Sequence, residues 1–286
     1  MVYKDKNKIL IINRRDVILN SRYPELLNIV NNVNAHTAIL DGEIVVYDEK
    51  GRPDFYRLAE REHVSQKLRI ELLSRLIPAT YIVFDILEKD DVKLIAKPLI
   101  QRKSILEDVV NENSRIKLCF YTTNGERLFR VTKSMGIEGI MGKERESLYY
   151  PGERKSCWLK IKHLKTLDAV ICGFTTGVGR REPLGSLILG CYYRGKLRYV
   201  GKVGTGFTED ELKRLLEKLE NLKTSTCPFH PEPDLKLPRV RKPVWVRPIL
   251  ICEVRFMNLT KELIMRAPVY RRLRNDKRPE ECILEV

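Results

Sequence analysis

The chain has 286 residues, 53 of them Lys or Arg and 38 Asp or Glu, for a net charge of +15. A hydrophobic content of 43% excludes wholesale disorder and allows one large domain or two ordinary ones. The cationic excess favours a polyanionic partner, nucleic acid ahead of a membrane surface, although a generally basic soluble protein is the plainer account.

Residues 8–12 (Lys-Ile-Leu-Ile-Ile) read as a buried strand that begins almost at residue 1, as in a truncated chain. Residues 13–16 form a polar turn. Residues 23–33 fit a helix with Pro24 in its first turn. Residues 38–47 fit a strand on which Asp41 and Glu43 share one face. Residues 54–75 are mostly helical, with a break at 63–65. Residues 81–87 make a second buried strand that ends in the acidic turn 88–91. Helices follow at 99–110 and 124–135, with a strand at 116–121 between them. Glu138-Gly139-Ile140-Met141-Gly142-Lys143 opens a strand, and Trp158-Leu159-Lys160-Ile161-Lys162 forms another. Trp158, Lys160 and Lys162 should share one face, leaving Leu159 and Ile161 to a core.

Beyond Lys162 the texture changes to short strands at 169–174, 187–193 and 197–203. Thr208-Glu209-Asp210-Glu211 is a capping box that starts a helix. Residues 227–248 are rich in proline and read as an extended connection. Residues 249–258 read as the last strand. About 120 residues of short strands around one helix suggest a small OB-type barrel. The fold class expected is α+β, with antiparallel sheets in residues 1–165 and an OB-fold in residues 166–286.

Seven scattered cysteines without a C-x-x-C pair argue against a disulfide framework or zinc knuckle and fit a reducing, intracellular setting. No apolar run nears about 18 residues, so no membrane partner is expected. The first residues carry no signal segment.

Candidate chemistry is spread along the chain. Asp41-Gly42-Glu43 can hold a ribose hydroxyl or a metal-bound water, with glycine permitting close approach. A strand-edge ion pair is the alternative. Phe84 can stack a base or fill a core. Asp85 is a modest metal or catalytic candidate. Glu138 can ligate a divalent cation and Lys143 can meet a phosphate, though a bend is needed for both to reach one pocket. Lys160 and Lys162, at i and i+2, would repel one another unless an anion lies between them. Two solvated lysines are the bland alternative. The run from Arg271 to Arg278 could grip polyphosphate or nucleic acid, or be a solvated tail. The glycine-rich segment 201–206 lacks P-loop spacing and reads as a tight turn.

In their order along the chain, Leu40-Asp41-Gly42-Glu43, Tyr81-Ile82-Val83-Phe84-Asp85, the Glu138–Lys143 segment, the Trp158–Lys162 segment and Arg274-Asn275-Asp276-Lys277 resemble the motifs of ATP-dependent DNA ligases. Gly201 to Phe207 and Trp245 to Pro248 add likeness to the ligase domain of prokaryotic end-joining ligases. The resemblance implies a nucleotidyltransferase domain followed by an OB domain. It implies ATP (as AMP donor) and Mg²⁺ or Mn²⁺ as cofactors. It implies nicked duplex DNA as partner, a monomer, end-joining partner proteins and a cytoplasmic, prokaryotic setting. By the same resemblance Glu43 contacts ribose and the metal, Phe84 stacks on adenine, and Glu138 holds the metal. Lys143, Lys160 and Lys162 face the phosphates. Arg274, Asp276 and Lys277 orient the leaving pyrophosphate, and Arg14 and Lys202 meet nucleic acid. Family ligases act in three steps: a lysine is adenylated, AMP passes to the 5′-phosphate, and the 3′-hydroxyl displaces AMP. Their nucleophile lies in Lys-x-Asp-Gly, which these 286 residues do not contain. The expectation is therefore a ligase missing the segment that carries its nucleophile. An RNA ligase or capping-type nucleotidyltransferase, and a non-catalytic DNA-binding remnant, are the alternatives.

Overall fold

The computed structural model describes residues 1–62, 64–176, 184–237 and 242–285. The chain divides into two units, Met1–Ile161 and Lys162–Val286.

The first unit is built on a six-stranded sheet. β1 (Val2–Asp5) and β2 (Lys8–Ile11) form a hairpin, and β1 also pairs with β3 (Thr37–Val46). β3 pairs with β4 (Ala79–Lys89), which runs two residues into the expected turn, turns at Asp90-Asp91 and folds back into β5 (Val92–Lys93). All these pairings are antiparallel. β6 (Ile116–Leu118) lies parallel to β4. The β1 strand is absent from the expectation because Tyr-Lys-Asp-Lys shows no apolar run; Val2 alone is buried.

Helices α1 (Phe55–Glu62), α2 (Lys67–Leu76), α3 (Leu99–Val109) and α4 (Gly125–Ser134) fall where their periodicity places them. His63, in the expected break, lies outside the described residues. Residues 24–32 form a 3-10 helix. Its buried Leu26 and Ile29 are three apart, the spacing that a 3-10 turn aligns. With Val2, Ile11, Leu40, Tyr81, Val83, Ile86 and Leu106 they form one apolar core.

β7 (Gly139–Lys143) and β8 (Trp158–Lys162) pair as a separate two-stranded ribbon. The expectation that Leu159 and Ile161 enter a core is wrong: they are 56% and 42% exposed. A ribbon of two strands buries one face at most, and here the covered face carries Trp158. Ile161 instead lies over Gly142, its Cδ1 3.3 Å from where a Cβ there would sit.

The second unit is a five-stranded antiparallel sheet in the order β11-β10-β9-β12-β13, with β9 Lys165–Thr175, β10 Ser186–Tyr193, β11 Lys196–Val203, β12 Pro243–Phe256 and β13 Val269–Arg274. Helix α5 (Glu209–Glu220) carries the expected capping box between Thr208 and Glu211 and buries Leu215 and Leu219. No closed ladder joins the two edges among the described residues. Two single hydrogen bonds tie each edge to the segment beside the other: Met265 N, ahead of β13, donates to Val200 O (2.7 Å), and Tyr270 N donates to Thr205 O, just past β11 (2.9 Å).

Two elements differ from expectation here. β12 starts at Pro243, inside the proline-rich stretch, and tolerates Pro248 because its ladder to β9 breaks between Trp245 and Leu250. β13 is a further strand, and it takes in Arg271 to Arg274 of the basic run for which a solvated tail was one alternative. Its arginines look like a solvated run because it is an edge strand that buries Tyr270.

Candidate functional site

The β3–β4 pairing is irregular at the acidic residues. Its register runs Ile39↔Glu88, Leu40↔Ile86, Asp41↔Asp85, Gly42↔Val83, so Leu87 and Phe84 are extra residues on β4. Such bulges re-aim side chains out of the regular alternation. Even so, burial alternates from Tyr81 to Asp85 as in a regular strand, and Phe84 is half-exposed between buried Val83 and Asp85. Gly42 serves the fold rather than a ligand: a Cβ there would lie 2.6 Å from Tyr81 Cζ and 2.5 Å from Ile82 O. The Tyr81 hydroxyl, buried across the strand, donates to Leu40 O (3.0 Å).

Asp85 is fully buried and committed to Arg102 of α3. Arg102 Nε donates to Oδ1 (2.8 Å) and Nη2 to Oδ2 (2.9 Å), while Nη1 donates to Lys97 O (2.5 Å) and Ser147 O (3.2 Å). A bidentate pair with further acceptors satisfied is the form in which a buried charge is tolerated. This engagement removes Asp85 as a metal or catalytic group. Asp41 opposite it accepts from the Tyr149 hydroxyl (2.8 Å). Burial raises the pKa of Asp41, and the Tyr149 hydrogen bond opposes that rise. Tyr149 is pushed upward, by burial first and then by Asp41.

Around this anchored floor stand the aromatic rings. Phe84 and Trp158 meet edge to face with centroids 6.4 Å apart, and Tyr149 and Trp158 do so at 5.7 Å. The Lys143 ammonium sits 3.6 Å from the Trp158 centroid and 4.4 Å from that of Phe84. Burial lowers its pKa to about 8, with Asp85 opposing. The carboxylates near it are already engaged, so its charge rests on ring faces. Lys103, 7% exposed, lies 4.9 Å from the Tyr121 ring and is likewise lowered by burial.

Trp158 opens onto a pocket of about 490 Å³, a size that suits a nucleotide. Met141, Tyr149, Arg154, Lys155 and Lys160 also line it. Glu153 lines it too and pairs with Lys155 (2.7 Å), so aromatic rings and the cations of Arg154 and Lys160 share the lining, groups that can meet a planar base and its phosphates.

The structure brings Phe84, Lys143 and, along the pocket wall, Lys160 into one region of the first unit. Glu43, Glu138 and Arg14 are exposed on their own segments. Among the described residues no three His, Cys, Asp or Glu side chains cluster to hold a metal. A hard cation bound through one or two carboxylates and substrate phosphates needs no such cage. Lys162 lies in the second unit and donates to Met257 Sδ (3.5 Å). Lys202 donates to Leu235 O (2.7 Å).

In the second unit Arg274 is bracketed by two carboxylates. Its Nη1 donates to Asp168 Oδ1 (3.0 Å), and its Nε and Nη2 donate to Asp276 (2.8 and 2.7 Å). Lys277 Nζ donates to Asp168 Oδ2 (2.6 Å), and Arg272 Nε to Glu253 (2.9 Å). The Arg274 hydrogen bonds hold Asp276 well below the usual carboxylate range.

Sequence reasoning missed Asp168, Arg102, Tyr149 and the role of Asp41. A signal existed for Arg102. Leu99, Arg102, Lys103 and Leu106 follow the i, i+3, i+4, i+7 spacing of a buried helix face, so Arg102 stands in a core position. Asp168 similarly interrupts the apolar run from Leu167 to Ile171.

An aromatic-lined pocket in an antiparallel-sheet unit, followed by an antiparallel unit with an Arg–Lys cluster, is the architecture of a nucleotidyltransferase with an OB-type partner unit. The chain belongs to the ATP-dependent DNA ligase family. Residues 1–162 match the ATP dependent DNA ligase domain and residues 180–277 the ATP dependent DNA ligase C terminal region. It is 33% identical over 288 residues to the multifunctional non-homologous end joining DNA repair protein LigD of Mycobacterium tuberculosis, covering 100% of this chain and 36% of that protein. It is 32% identical to a DNA ligase of Thermococcus fumicolans, covering 98% of this chain and 51% of that one. The crystal structure of the M. tuberculosis LigD ligase domain matches 99% of this chain and 88% of its own at 30% identity and a TM-score of 0.50. The chain thus spans about a third to a half of the length of these curated relatives.

Proposed function

We propose that this chain is the ligase portion of a DNA-joining enzyme that uses ATP to seal nicks in duplex DNA. The observation that carries the reading is Trp158, which lines the pocket together with Arg154 and Lys160 and is in contact with Phe84 and Lys143, in a chain of this family. Phe84 offers its ring to the adenine, Glu43 a carboxylate to the ribose, and Lys143 and Lys160 positive charge to the phosphates. ATP supplies the adenylyl group, and a divalent ion carried with its phosphates and met by Glu138 neutralises charge there. In the second unit Arg274, Asp276 and Lys277 form the polyphosphate-facing set, with Lys162 contributing a further cation. Phosphoryl transfer asks the protein mainly for positioning and charge stabilisation, which these groups supply.

A polypeptide of these 286 residues contains no Lys-x-Asp-Gly. Incubated with labelled ATP and Mg²⁺, it should remain unlabelled, and on a nick that already carries AMP at its 5′-phosphate it should form the phosphodiester. A covalent adduct on Lys4, Lys6 or Lys8 would overturn the first expectation. Binding to the pre-adenylated nick without sealing would overturn the second. Sealing of the RNA nick in preference to the DNA nick would reassign the substrate.

A further inference from the structure

Among the described α-helices, α2 alone buries no residue fully. Its inner side rests on the 3-10 helix Pro24–Asn32, with Ile70 and Leu73 half-buried. Its outer side carries Leu68, Leu72 and Leu76, which are 82%, 56% and 65% exposed. These three recur at i, i+4 and i+8. They form one continuous ridge about 12 Å long, the row that packs into the groove of a second helix. Single exposed leucines are ordinary, but an aligned row of them marks a contact surface.

The charges beside the ridge say what covers it. At about 100° of rotation per residue, Arg69 stands on one rim and Arg75 on the other, with the exposed Glu71 further round the helix beyond Arg75. Both arginines are exposed, and neither has an ion-pair partner among the described residues. A second copy of this chain would bring arginine rims against arginine rims, on a molecule of net charge +15. A helix with its own apolar row and Asp or Glu on both flanks satisfies the ridge and the rims together.

We propose that α2 is a docking surface for an acidic amphipathic helix of a partner protein. The surface lies outside the nucleotide pocket and does not rest on the assignment of that pocket.

The test uses the full chain and two fluorescein-labelled helical peptides. Both carry leucine at i, i+4 and i+8; one has glutamate on its rims, the other lysine. The glutamate peptide should bind with a dissociation constant on the order of tens of micromolar at low salt. Leu72→Ser should weaken it at least about fivefold without lowering the melting temperature, because Leu72 is exposed. Exchanging both rims (Arg69→Glu with Arg75→Glu) should reverse the preference to the lysine peptide. The proposal fails if the glutamate peptide does not bind at millimolar concentration, or binds wild type and Leu72→Ser alike. It also fails if sedimentation shows a Leu72-dependent dimer, or if vesicles of phosphatidylglycerol and phosphatidylcholine retain wild type but not Leu72→Ser. Those outcomes would assign the ridge to a second copy or to a lipid surface.

Discussion

Lys143 is a cation held almost entirely by ring faces. Its ammonium lies against Trp158 and Phe84, while the oxygens of Asp85 are engaged by Arg102 and Oδ2 of Asp41 by Tyr149. Burial brings its pKa to about 8 from an ordinary 10.5. The unfolded chain therefore binds more protons than the folded one between those values, and stability should rise with pH across that window. The full effect, discounted for partial exposure, is on the order of 2 kcal/mol. Nucleotide binding should run the other way. An anionic phosphate favours the ammonium, so ATP affinity should fall as pH rises through about 8. Lys143→Met should flatten both profiles. The chain has two tryptophans, so emission in a Trp245→Phe background reports Trp158 and hence the pocket. A wild-type affinity that holds constant from pH 7 to 9 would remove Lys143 from phosphate recognition.

At the level of elements, Gly42 lets β3 and β4 come together at the irregular pairing next to Phe84. Gly42→Ala would drive a methyl into Tyr81 and the Ile82 carbonyl. Neither has free space to retreat into, because Tyr81 is buried and Ile82 O is backbone. Overpacking of this kind should cost about 1–3 kcal/mol or more in a denaturant melt. Residual nucleotide affinity should drop as well, since Phe84 sits on the distorted strand.

The same strands show how far the sequence is legible. β3, β4, α3 and α5 follow from periodicity and capping, because each buries a face, and α4 follows from its capping and its amphipathic spacing, though Thr132 is its one buried residue. The bulges do not follow: Tyr-Ile-Val-Phe-Asp-Ile-Leu is equally a regular strand, and the skipped residues emerge only when β3 is laid beside it. The ordered motifs single out Phe84, Lys143 and Lys160; Lys160 lines the pocket, and the other two reach Trp158 beside it. The floor beneath them joins residues 41, 85, 102 and 149 through long-range pairs that no local pattern announces. Leu159 and Ile161 mislead for the opposite reason. Alternation predicts two faces for β8, but in a two-stranded ribbon only Trp158 is half-buried and Leu159 and Ile161 stay exposed.

At the scale of the molecule, the charge excess of +15 should make DNA binding strongly dependent on salt. The contribution is uneven along the chain. Arg272, Arg274 and Lys277 face Glu253, Asp168 and Asp276, so that cluster is close to neutral as folded. Arg14 and Arg271 are exposed and release counterions when they meet phosphate. For nicked-duplex binding followed by anisotropy, Arg14→Ala and Arg271→Ala should each flatten the plot of log affinity against log salt by about one. Asp168→Asn should do the reverse. It frees Lys277 and one side of Arg274, so affinity at low salt should rise and the slope steepen. If Asp168→Asn instead weakens binding at every salt concentration, Asp168 holds Arg274 and Lys277 in the geometry that phosphate requires. The carboxylate would then be part of the binding surface rather than a competitor for it.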